Sequence, residues 1–155
     1  MKHEDARKVF VVHGHNEAVK NQAARFLERI KLEPIILAEQ ASGGLTVIEK
    51  FEQHSEVSFA VVLLTADDIG GVKNSPPENL HLRPRQNVIF ELGYFVAKLG
   101  RKKVFALYEE GVEIPSDYKG VIFVSLDAGG AWRLTLAQEM KGAGLEVDMN
   151  YLFQN

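Results

Sequence analysis

Phe59-Ala60-Val61-Val62-Leu63-Leu64 is an unbroken apolar run that ends at once in Thr65-Ala66-Asp67-Asp68-Ile69-Gly70-Gly71. A strand that faces water on one side alternates polar and apolar residues, and this one does not, so both of its faces must be covered. That is the condition of an interior strand in a parallel sheet with helices on both sides. Outward from it, 9–12, 35–37, 104–107 and 121–124 read as four further short strands rich in β-branched and aromatic residues. Amphipathic segments alternate with them: 17–31 carries Val19, Ala23, Phe26, Leu27 and Ile30 at helical spacing, 46–54 carries Val47, Ile48 and Phe51, and 85–99 and 131–141 complete the set. The expectation is a flavodoxin-like, doubly wound α/β domain with a five-stranded parallel sheet. Residues 1–155 are expected to form a single domain with a core over about 8–152, and the apolar finish Tyr151-Leu152-Phe153 would dock on its body or lead into a partner domain.

Composition narrows the function classes. A chain of 155 residues that is 46% hydrophobic can bury one sizeable core. Eighteen basic against 21 acidic residues give a net charge of -3, which offers no general attraction to nucleic acid or an anionic membrane. The absence of cysteine excludes disulfides, zinc-thiolate sites and cysteine nucleophiles, and fits a cytoplasmic setting. No apolar run approaches the roughly 20 residues of a membrane span, and the polar start Met1-Lys2-His3-Glu4-Asp5 does not read as a signal peptide.

In open α/β sheets ligands gather beyond the carboxyl ends of the strands. His13-Gly14-His15-Asn16 follows the first strand, Glu39-Gln40-Ala41-Ser42-Gly43-Gly44-Leu45-Thr46 the second, and a long loop from Thr65 to the next helix the third. Gly14 at a strand-to-helix turn would let a ligand approach backbone amides, which suits a phosphate or a ribose. Asn16 serves equally as a helix cap or as a ligand contact. Two histidines two residues apart, with no fixed third ligand, make a poor metal site, and none is expected. No G-x-G-x-x-G follows any strand, so a dinucleotide would not bind as in a Rossmann dehydrogenase. Ser42-Gly43-Gly44 reads as a mobile loop over a cleft or as an ordinary turn, and Thr46 with Glu49 forms a capping-box signature. Asp67 and Asp68 before Gly70-Gly71 are turn chemistry or a pair that binds a hydroxylated ligand or magnesium, and turn chemistry is the commoner fate of such a pair.

The helix over 85–99 contains one residue out of keeping with it. Val88, Leu92, Phe95, Val96 and Leu99 form a buried stripe, while Asn87 and Glu91 share a second face. Desolvating Glu91 among Phe90, Leu92, Tyr94 and Phe95 is costly without a partner. It is therefore either a paired structural charge, with Arg83 or Arg85 at hand, or a working group in a cleft.

The runs Val9-Phe10-Val11-Val12-His13-Gly14-His15, Ala60-Val61-Val62-Leu63-Leu64-Thr65-Ala66-Asp67-Asp68 and Arg85-Gln86-Asn87-Val88-Ile89-Phe90-Glu91-Leu92-Gly93 together resemble the bacterial TIR-like nucleotide-binding proteins, over about residues 8–152. The Arg-Gln-Asn-x-x-x-Glu-Leu-Gly motif is the specific part; adaptor-type TIR domains carry a serine-tryptophan-cysteine lead-in at that place. Such proteins occur as effector domains in antiphage systems, often fused to a cyclic-nucleotide sensor, and active ones cleave NAD+ to nicotinamide and ADP-ribose or a cyclic variant. The resemblance implies Glu91 as the catalytic carboxylate and a flexible loop at Ala38 to Leu45 that includes Ser42 and Gly43. It also implies a nicotinamide-ribose cleft among His13, Gly14, His15, Asn16, Asp67 and Asn87, with Arg85 a further candidate for binding substrate. NAD+ would be a substrate, with no cofactor, and the domain would act after self-association through TIR-TIR contacts. A cyclic-nucleotide sensor or a partner carrying one would lie outside these residues. Two alternatives stand beside this expectation: a non-enzymatic TIR-like self-association module, and a nucleoside deoxyribosyltransferase.

Overall fold

The computed structural model describes residues 7–36, 46–53, 59–116 and 120–153. Five strands, β1 (Lys8–Val12), β2 (Glu33–Ile36), β3 (Ala60–Leu64), β6 (Val104–Tyr108) and β7 (Ile122–Ser125), form one all-parallel sheet in the order β2-β1-β3-β6-β7. The helices are α1 (Glu17–Arg29), α2 (Val47–Gln53), α3 (Gln86–Leu99) and α4 (Trp132–Gly142). This is the flavodoxin-like order expected from the sequence.

Pleat period converts each apolar run into two interfaces. On one face Val9, Val11, Val61, Leu63, Phe105 and Leu107 pack with Phe26 and Leu27 of α1 and Trp132, Leu136 and Met140 of α4. On the other, Phe10, Val12, Ala60, Val62, Leu64, Val104 and Ala106 meet Val88, Leu92 and Phe95 of α3. Every side chain of β3 is buried, with Val61, Val62, Leu63 and Leu64 each contributing on the order of 1.5–3 kcal/mol if fully removed from water. α2 joins the α3 side, where the Tyr94 hydroxyl donates to Glu52 Oε1 at 3.4 Å. Its start is the expected capping box: Thr46 N donates to Glu49 Oε2 at 2.7 Å and Glu49 N to Thr46 Oγ1 at 3.2 Å. At the far end, Leu152 packs against the first core and Lys31 stands over the Tyr151 ring, so these two residues dock on the body.

Two features depart from expectation. Helix α1 stops at Arg29, with Lys31 at a φ of 68° turning the chain into β2; a lysine in the left-handed region leaves no sequence signal comparable to glycine. The stretch after β3, expected as loop, holds an antiparallel pair, β4 (Asp68–Gly70) with β5 (His81–Arg83). Its strands are three residues each, too short for a pattern to register. β5 is tied on its other side to the segment after β6, where Glu113 N donates to Leu82 O at 2.8 Å.

Candidate active site

α1 covers one face of the sheet and α3 the other, and the chain reverses between β1 and β3. This switch point leaves a crevice at the carboxyl ends of the two strands. A cleft of about 400 Å³ opens there, lined by His13, Gly14, His15 and Glu17 from the β1 side and by Arg85, Asn87, Val88 and Glu91 from the start of α3. Helical spacing puts Asn87 and Glu91 on its wall, while Val88, Leu92 and Phe95 hold that wall against the sheet.

Glu91 is half-buried and has no hydrogen bond or ion pair among the described residues. Burial pushes its carboxyl up from 4.5 to about 7, against a smaller downward pull from the Arg85 guanidinium. Desolvation thus outweighs the neighbouring charge. Of the two arginines considered as partners, Arg83 is engaged elsewhere, with its Nε 2.8 Å from Glu113 Oε2 and its Nη2 3.3 Å from Oε1. Glu91 is therefore not half of an Arg83 ion pair.

The turn after β1 is fixed from three sides. Asn16 is the cap of α1: its Oδ1 accepts from Val19 N at 3.1 Å, and its Nδ2 donates to Glu109 Oε1 at 2.9 Å. Asp67 Oδ2 accepts from Thr65 Oγ1 at 2.8 Å and from His15 N at 3.1 Å. A Cβ on Gly14 would collide with that same Asp67 oxygen. The glycine is needed so that the carboxylate can reach across to His15, a role within the protein and distinct from the ligand approach expected of it. His13 Nδ1 lies 2.8 Å from Gly14 O, while its Nε2 is buried without a partner among the described residues.

The structure therefore gathers His13, Gly14, His15, Arg85, Asn87 and Glu91 around one cleft and sets Asn16 and Asp67 behind its wall, where their polar atoms hold the loop. Ser42 and Gly43, with the loop over 38–45, lie outside the described residues. Two participants had not been expected. Glu17, the first residue of α1, lines the cleft with its carboxylate paired to Lys20 Nζ at 2.6 Å, a neighbour visible in sequence as an i,i+3 pair. Glu109 follows β6 and carries no local signal. Among the described residues no three His, Cys, Asp or Glu side chains gather as a metal site, and no helix is long and apolar enough to cross a membrane.

The family described as CAP12/Pycsar effector protein, TIR domain, matches residues 8–128, a span that contains every residue lining the cleft. The chain belongs to this TIR-domain family. It is 50% identical over 144 residues to the uncharacterized protein YuaY of Escherichia coli strain K12, covering 92% of this chain and 48% of that protein. It is 35% identical over 127 residues to protein tirC of Dictyostelium discoideum, covering 76% of this chain and 63% of that one. The Pycsar effector protein PaPycTIR of Pseudomonas aeruginosa is 36% identical over 103 residues, 65% of this chain and 30% of its own. The TIR domain described here thus spans about half the length, or less, of two of these three relatives. The resemblance to bacterial TIR-like proteins holds.

Proposed function

We propose that this TIR domain cleaves the nicotinamide-ribose bond of NAD+, giving nicotinamide and ADP-ribose or a cyclic variant, as an antiphage effector switched on by assembly. The observation that carries the proposal is Glu91: a desolvated carboxylate without a hydrogen-bond or ion-pair partner among the described residues, on the wall of the switch-point cleft. Buried charge of this kind is expensive in a purely structural role and useful beside a developing cation. Nicotinamide is already cationic in NAD+ and leaves neutral, so the leaving group needs no acid, unlike the oxygen of an ordinary glycoside. The Glu91 carboxylate stabilises the oxocarbenium-like transition state, and the low-dielectric wall formed by Val88 and Leu92 strengthens that attraction. Arg85 is the cation in the cleft suited to the diphosphate, with His15 and Asn87 available to the ribose hydroxyls. NAD+ enters as substrate and no cofactor takes part.

Assembly through TIR-TIR contacts, and a cyclic-nucleotide sensor elsewhere in the effector or in a partner, complete the proposal. The name Pycsar effector borne by relatives supports the second. The test is NAD+ consumption by concentrated or artificially clustered protein, parent beside Glu91→Gln. Nicotinamide release that disappears in the variant supports the assignment. Survival of NAD+ with folded, clustered parent protein favours the non-enzymatic self-association module, and a panel of nucleosides tests for deoxyribosyl transfer.

A further inference from the structure

The two ring nitrogens of His13 are in different situations. Nδ1 is 2.8 Å from the Gly14 carbonyl oxygen; a carbonyl only accepts, so Nδ1 carries the proton. In the neutral ring Nε2 is then a lone-pair acceptor. That atom is buried, has no partner among the described residues, and belongs to a side chain lining the same cleft as Glu91. A buried acceptor without a donor costs about 1–3 kcal/mol, and a site that keeps one is explained when a ligand or a reacting group completes it. The ring's partner Gly14 sits in a turn clamped by Asp67 on His15 N and by the Asn16 contacts to Val19 and Glu109.

We propose, resting on the glycohydrolase function above, that His13 Nε2 accepts the proton of the water that attacks C1′ of the nicotinamide ribose. The bond from C1′ to the pyridinium nitrogen breaks and its electron pair leaves with neutral nicotinamide. A lone pair of water forms the new bond from C1′ to oxygen, and the water proton passes to Nε2. The resulting imidazolium returns that proton to solvent. NAD+ and water thereby give nicotinamide, ADP-ribose and one proton. Glu91 answers the positive charge at the ribose, and His13 answers the proton of the nucleophile. A pyridine base attacks through a lone pair and has no proton to lose, so exchange of nicotinamide for such a base requires Glu91 and does not require His13.

The experiment follows both reactions in clustered full-length chain, hydrolysis of NAD+ alone and exchange in the presence of 3-acetylpyridine, for the parent, His13→Gln and Glu91→Gln. Glutamine keeps an acceptor oxygen but cannot take up a proton. His13→Gln is expected to lose about 10²-fold in hydrolysis while exchange stays within about threefold, and Glu91→Gln to lose both. Equal loss of both reactions in His13→Gln, or loss of neither, overturns the assignment. So does a Glu91→Gln protein that loses hydrolysis and keeps exchange, which would make Glu91 the proton acceptor. If His13→Gln melts far below the parent, His13→Asn is read by the same ratio. A clustered parent that performs neither reaction instead overturns the glycohydrolase function itself, and this assignment with it.

Discussion

Two carboxylates share the cleft and are treated in opposite ways. Glu91, on the α3 wall, has lost water without gaining a partner among the described residues, and its carboxyl is pushed up to about 7. Glu17, at the start of α1, lies in solvent with Lys20 against it, and the hydrogen bond from Lys20 holds its carboxyl below the usual range. Lys20 itself is buried. One site is thus able to present a carboxylate raised by desolvation on its wall and one lowered by its lysine partner at its edge, by environment alone. Exposure decides which of the two can be spent on chemistry: a solvated, paired charge exerts little field on a substrate, whereas a desolvated one exerts much.

The contrast is broken most severely at Glu91. Glu91→Gln keeps the shape of the side chain and removes its charge, so nicotinamide release should fall by about 10²–10³-fold with the fold intact. In the parent, the same release should rise with pH through about 7 as the carboxylate forms. A variant retaining the parent rate would remove Glu91 from the mechanism.

The next effect is on the wall that both carboxylates share. Gly14→Ala drives a methyl group into the Asp67 carboxylate, which can yield only by giving up its bonds to Thr65 and His15. Chemical denaturation should show a loss of about 1–3 kcal/mol, with substrate turnover reduced in step. A variant as stable as the parent would mean that the Asp67 clamp is looser than drawn.

A smaller effect sharpens the comparison through pH. The folded chain holds a proton on Glu91 up to about pH 7, whereas the unfolded chain releases it near 4.5. Between those values the folded state binds more protons, so this group's contribution to stability falls as pH rises. Glu91→Gln should therefore be the more stable protein above about pH 7, by roughly 1–2 kcal/mol once solvent screening of a half-buried group is allowed for, and should lose that advantage below about pH 4.5. Parallel unfolding curves at the two pH values check it; a variant destabilised at high pH would indicate a structural ion pair. Glu17→Gln should do least. Its carboxyl is depressed in the folded state, so what little it contributes is present above the ordinary carboxyl range and fades as pH falls through the folded value. Thermal melts of Glu17→Gln and parent should nearly coincide near neutral pH, and a large drop would place the Glu17 to Lys20 pair in the framework of the fold.

The sheet was legible because parallel strands leave a strong trace. The runs at 9–12, 59–64, 104–107 and 121–124 fall within one or two residues of β1, β3, β6 and β7, since a strand buried on both faces must be apolar throughout. β2 was legible too, although Leu37 lies outside the described residues. The cleft was legible in part for a related reason: Glu91 stood out as a charge in an apolar helix, and the positions after β1 were polar where the strand had not been. What local pattern does not carry is the fate of polar groups whose partners are far away in the chain. Asp67 reads as a turn residue or a ligand-binding one until His15, 52 positions away, is brought to it. Arg83 is a candidate partner of Glu91 until Glu113, 30 positions on, takes its guanidinium. Asn16 meets Glu109 across 93 residues.

The sequence by itself thus determined the layers, the parallel sheet, the helix that bears Glu91 and the TIR family, because each rests on periodic or contiguous residues whose burial is a local property. Only the tertiary structure decided that Glu91 stands without an ion-pair partner and that His13 keeps one nitrogen without a donor among the described residues, that Gly14 makes room for Asp67, and that Glu17 joins the cleft. Hydrogen bonds and desolvation depend on which atoms meet, and the meeting of distant segments at the ends of β1, β3 and β6 is set by the packing of the whole sheet.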